Sequence, residues 1–149
     1  MGRGTRERHG MSWTILLDNE AVQALADPSH RKHRRALGYA QVVISRKARA
    51  DPVNVAVPAA VRVEAGWDRT APAWAFVNRL RIADIPLDRT HANTAAAISS
   101  RTGVSVADAH LGAAIANADA DAARVTVVTS DPRDMRIVAE GKHVEVVAL

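Results

Sequence analysis

The 149-residue chain contains no cysteine. That excludes a disulfide framework, a thiolate metal site and a cysteine nucleophile. Aromatic residues make up only 3%: three Trp, one Tyr and one Phe. There is therefore no evident stacking platform of the kind that holds single-stranded nucleic acid. No apolar run approaches the roughly 18 residues needed to span a bilayer. Residues 1–10 (MGRGTRERHG) are Arg-rich and lack the hydrophobic stretch of a signal peptide. The expectation is a flexible leader over residues 1–11, one domain over residues 12–149, and a cytoplasmic location.

Apolar residues at 48% and charged residues at 24% are globular values. The net charge of +4 is unevenly spread: residues 1–50 carry ten Lys/Arg against four Asp/Glu, and residues 51–149 carry ten against twelve. A basic first third beside an acidic remainder suggests a polyanion touching one side, with carboxylates gathered elsewhere. A solvated helix face would give the same imbalance.

Periodicity predicts strands alternating with helices. Ser12–Leu17 is an apolar run closed by Asp18, and Asn19–Ala26 reads as a short helix ended by Asp27-Pro28. Ser29–Arg49 has the spacing of one long basic amphipathic helix. Val53–Val57 is β-branched and predicts a strand. Pro58 suits a first helical turn, so Ala59–Trp67 reads as helix. A helix over Pro72–Arg81, a strand over Ile82–Leu87 and helices over Arg89–Arg101 and Val106–Ala118 follow, with Ser105 and Asp108 spaced as a capping box. Val125–Thr129 predicts a strand. Asp131-Pro132 opens a helix through Glu140 that Gly141 ends, and Val144–Val147 is a last strand. This alternation implies an α/β fold, a central parallel sheet with helices on both faces.

Ligands of such sheets bind beyond the carboxyl ends of the strands. Asp18 and Asp131 follow strands there, Asp108 opens a helix, and Glu64 lies about two turns into another. Asp134 falls on the same side as Asp131. Clustered carboxylates repel unless a cation neutralises them. A hard divalent ion, Mg²⁺ or Mn²⁺, suits such oxygen donors and can activate water and stabilise charge on a phosphoryl group. Each acid also has a plainer reading: Asp131 as a helix cap, Asp108 as a charge near a helix N-terminus, Glu64 as a solvated position. Asp18, directly after an apolar strand, is the hardest to explain without a partner.

Four segments, ILLDNEAV (Ile15–Val22), VPAAVRVEAGW (Val57–Trp67), TGVSVADAHLGAAIA (Thr102–Ala116) and VVTSDPRDM (Val127–Met135), each carry one of these acids. In order and spacing the chain resembles the PIN-domain ribonucleases, in particular the VapC toxins of toxin–antitoxin pairs. The resemblance implies a PIN-like fold and a metal-dependent endoribonuclease leaving a 5′-phosphate and a 3′-hydroxyl. It makes Asp18, Glu64, Asp108 and Asp131 the catalytic acids, with Asp18, Asp108 and Asp131 on the metal. Asn19, Thr129 or Ser130, and Asp134 become supporting residues. It further implies an RNA substrate, a VapB-type antitoxin and a homodimer. Glu20 departs from the family pattern: it is either an extra metal ligand or part of a solvated first turn. The basic cluster containing Arg31, Arg34 and Arg35 would track an RNA backbone. His91 and His110 read as ordinary helix-face residues.

Two other readings stand beside this one. Asp18–Val22 and Ser130–Asp134 loosely resemble the nucleophile loop and terminal acidic motif of haloacid dehalogenase-type phosphatases. That family has an aspartate where Glu20 stands and a lysine between the motifs, which this chain lacks. A PIN-like module that binds RNA or an antitoxin without cleaving is the other.

Overall fold

The apolar run that closes on Asp18 forms the central strand of a parallel sheet. The structure is a computed structural model, describing residues 12–41, 53–120 and 124–149. Its strands are β1 (Trp13–Leu17), β2 (Val53–Pro58), β3 (Ala83–Ile85), β4 (Arg124–Thr129) and β5 (Glu145–Ala148). They lie in the order β3-β2-β1-β4-β5, every neighbouring pair parallel. Residues 1–11 and 42–49, which include the expected leader and the end of the expected basic helix, lie outside the described residues.

Right-handed crossovers decide which face each helix covers. The chain steps outward from β1 to β2 and β3. These steps place α1 (Asn19–Ala26), α2 (His33–Ala40), α3 (Ala59–Ala65) and the short α4 (Ala75–Asn78) on one face. It then crosses back over β1 to reach β4 and β5, which places α5 (Arg89–Thr102), α6 (Val106–Ala120) and α7 (Pro132–Val138) on the other. Side chains alternate accordingly. Ile15 and Leu17 pack with Val22 and Leu25 of α1, while Leu16 packs with Leu111 and Ile115 of α6. A strand covered on both sides has no polar face, hence its uninterrupted apolar sequence. No described helix is long and apolar enough to cross a membrane.

Several boundaries differ from expectation, each for a local reason. The long helix expected from Ser29 begins instead at His33. The Asp27 carboxylate accepts from both the backbone N–H and the hydroxyl of Ser29, at 2.9 and 2.6 Å, holding a turn where a helix would otherwise start. Pro58 ends β2 and precedes α3 rather than lying within it, and α3 ends at Ala65 because Gly66 turns left-handed at φ 74°. The helix expected over Pro72–Arg81 is a 3₁₀ turn, Pro72–Trp74, followed by α4. Asn78 is tied across to the Trp67 indole N–H at 2.7 Å and the Arg69 carbonyl at 2.9 Å, and Arg81 takes a φ of 58° that no helix tolerates. The third strand is confined to Ala83–Ile85.

The helices of the second face meet at Gly112 of α6. A Cβ there would stand 2.8 Å from Ile98 Cδ1 of α5 and 3.2 Å from Val138 Cβ of α7. Glycine is required because the three helices approach closer than any side chain permits.

Candidate functional site

The chain crosses from one face of the sheet to the other between β1 and β4, and their carboxyl ends open a crevice there. Asp18 lies at this point. It is 8% exposed and caps α1 by accepting from the Ala21 N–H at 2.8 Å. Its other oxygen accepts from the Ser130 N–H at 3.2 Å, joining the two strands across the crevice. Burial pushes the carboxyl above its ordinary value; hydrogen bonds from the Thr129 hydroxyl and the Ala21 and Ser130 N–H groups oppose that shift. The Thr129 oxygen itself accepts from the Asp131 N–H at 2.9 Å. Thr129, fully buried, therefore supplies the hydroxyl that the sequence left open between two residues, while Ser130 contributes its backbone N–H.

Asp108 enters from the first turn of α6, where Ser105 Oγ accepts from its N–H at 3.1 Å. Its carboxyl is raised first by burial and then by the negative charges of Glu64, Asp18 and Asp134. Acids from α1, α3, α6 and α7 thus act on one another at a single crevice. Asp131 stands at one remove. It is exposed and caps α7, accepting from the Asp134 N–H at 3.2 Å. A hydrogen bond between their side chains and the charge of Asp131 raise Asp134. The sequence placed both acids on one side of the helix; the fold makes Asp134 the one whose charge bears on Asp108.

The donor set consists of hard oxygens, and Asn19 adds a buried Oδ1 with no partner among the described residues. An uncompensated buried acceptor and mutually repelling carboxylates both suit a hydrated divalent cation. Among the described residues no three acidic or histidine side chains enclose an ion by themselves. Such an ion would keep part of its water shell, as Mg²⁺ commonly does. Thr129→Val tests the internal support of this site. Losing the hydroxyl is expected to raise the midpoint of Asp18 titration, followed by carboxyl-carbon NMR. It should also cost about 1 kcal/mol through the stranded Asp131 N–H.

Arg31, Arg34 and Arg35 are all exposed, on the turn before α2 and on α2 itself. Both histidines of the second face are buried. The ring centroids of His91 and His110 lie 5.7 Å apart, edge to face. Asp88 accepts from His91 Nδ1 at 2.9 Å, and His110 Nδ1 accepts from the Ala60 N–H at 3.2 Å, so both serve as internal ties between elements. Burial lowers the His110 value below that of an ordinary imidazole.

Beside Glu64 lies a groove of about 450 Å³, lined by Ala59, Val63, Leu87, Val106 and neighbours. Val63 is 82% exposed and Val106 65%. The sequence reading missed this surface, although a signal existed: Val63 sits out of phase with the buried Val61 and Ala65 of its own helix.

No protein-family model matches this chain, and no curated protein matches it in sequence. Among solved structures it is similar to the crystal structure of PAE2754 from Pyrobaculum aerophilum. The TM-score is 0.49 and the identity 18%, over 90% of this chain and 92% of that one.

Proposed function

We propose that the chain is a PIN-like, metal-dependent endoribonuclease, acting in the cytoplasm as the toxin of a VapBC-type pair. The observation that carries this reading is the rise in the Asp108 carboxyl caused by Glu64, Asp18 and Asp134, acids of separate elements drawn to the switch point of the sheet. Like charges gathered at such cost call for a cation.

Asp18 and Asp108 would hold Mg²⁺ or Mn²⁺, with Glu64, Asp131 and Asp134 completing the negative field. When bound, such an ion acidifies water and stabilises charge on a phosphoryl group. The protein's own residues do the positioning. Thr129 and the Ser130 N–H fix the Asp18 carboxylate, and Asn19 offers its buried oxygen to the water shell. Arg31, Arg34 and Arg35 take the RNA backbone as point and fork charges. The products would be a 5′-phosphate and a 3′-hydroxyl. The exposed apolar groove beside Glu64 supports a protein partner, an antitoxin or a second copy of the chain, since patches of this kind mark interaction surfaces.

The test is cleavage of purified cellular RNA with Mg²⁺ or Mn²⁺, comparing the wild type with Asp18→Ala and Asp108→Ala. Loss of cleavage in EDTA and in both variants is the expected outcome. Equal cutting by all three proteins, or cutting that EDTA leaves intact, overturns the proposal.

A further inference from the structure

Glu20 is the second residue of α1, two positions after Asp18, and its charge adds to the forces that raise the Asp18 carboxyl. A glutamate in a first helical turn needs no support, because the helix N-terminus already favours it. This one is braced. His30 Nε2 lies 3.0 Å from Glu20 Oε1, with the two side chains 21% and 36% exposed.

The brace is held from behind. The Lys32 N–H donates to His30 Nδ1 at 3.0 Å, so Nδ1 carries the lone pair and Nε2 the hydrogen that Glu20 accepts. The His30 N–H donates to the Asp27 carbonyl, and the His30 carbonyl accepts from the His33 N–H, both at 2.9 Å. Asp27 meanwhile fixes Ser29. The turn that leaves α1 therefore reaches back to the start of the same helix and fixes an acid beside the most buried acid of the site. Between the two acids in sequence, Asn19 keeps its buried Oδ1 without a partner among the described residues.

Resting on the cation-binding reading above, we infer that Glu20 is a fifth carboxylate of the cation site and that His30 is its positioning residue. Glu20 takes part through the hydration shell. His30 engages one carboxylate oxygen, and a carboxylate has lone pairs for further donors. Partners that orient groups around a metal in this way typically change its affinity 10–100-fold when removed. The arrangement also accounts for an acid where the resembled family carries a small or polar residue.

The experiment is calorimetric titration of Mn²⁺ into the full chain, comparing wild type, Glu20→Gln, His30→Ala, His30→Gln and Asp18→Asn, with thermal midpoints recorded alongside. Glu20→Gln is expected to weaken Mn²⁺ binding about tenfold. His30→Ala should lose part of that affinity, and His30→Gln should recover it, because the glutamine amide nitrogen can stand where Nε2 stood. A structural role for His30 would move the thermal midpoint and leave the affinity alone. If Asp18→Asn abolishes binding while Glu20→Gln and His30→Ala bind as wild type does, Glu20 lies outside the ion's reach and the inference is wrong, with the site itself intact. If the wild type binds Mn²⁺ no better than Asp18→Asn, the cation site and this inference fall together.

Discussion

Asp108→Asn is expected to give a chain that melts at a higher temperature than wild type and cleaves RNA at least about a hundredfold more slowly. The two effects share one cause. Asp108 is raised by burial and by Glu64, Asp18 and Asp134, so its ionised form is less stable in the folded chain than in the unfolded one. Such a group imposes no penalty below its unfolded value near 3.8. The penalty grows as pH rises through the folded value and is complete above it. The melting advantage of Asp108→Asn should therefore be absent near pH 3.8, open as pH rises, and be widest at neutral pH. Calorimetric melting of both proteins across that range checks it. Mn²⁺ should close the gap by stabilising the wild type through mass action, about 2.7 kcal/mol at a concentration one hundred times the dissociation constant. Asp18→Asn should gain less. Asp18 also caps α1 and receives the Ser130 N–H, and an amide that keeps the first contact turns a donor toward the second.

Gly112→Val should cost about 3 kcal/mol, and Gly112→Ala about 1, both read by denaturant unfolding. Alanine recovers nearly 1 kcal/mol of helix propensity over glycine, and Ile98 Cδ1, the end of a flexible side chain, can turn aside. Val138 offers less room: its Cβ and carbonyl oxygen stand 3.2 and 3.3 Å from the added carbon. A β-branched side chain then has to push α6 from α7. Gly112 lies one turn beyond Asp108, and Val138 one turn beyond Asp134, so this contact sets how closely those two acids approach. Gly112→Val should accordingly weaken cation binding as well as stability. Stability lost with cation affinity unchanged would show that the helix contact and the acid pair are independent.

Much of this architecture is legible in the sequence. α1 begins and ends where Asp18 and Asp27 place it, because caps are local chemistry. Asp18, Glu64, Asp108 and Asp134 can be assigned to one edge once strands and helices alternate, since a parallel sheet sends every strand end the same way. Tertiary choices were hidden. Asp131 and Asp134 share a helix side in sequence, and only packing decides that Asp134 acts on Asp108 while Asp131 stays with its cap. The turn after Asp27 and the break before β3 depend on side-chain bonds to Ser29 and Asn78, contacts that compete with helix formation and leave no periodic trace. His91 and His110 looked ordinary because their shared burial spans two helices.

The Asp18–Ser130 hydrogen bond joins residues 112 positions apart. β1 leaves the ribosome early, but its acid has no partner from β4 until nearly the whole chain has been translated. During synthesis the first strand carries an unfinished catalytic residue, and the crevice closes only when the last crossover docks. Truncated or stalled products therefore lack the site altogether. A nuclease built this way is inert while nascent and becomes competent as a late step of its own folding.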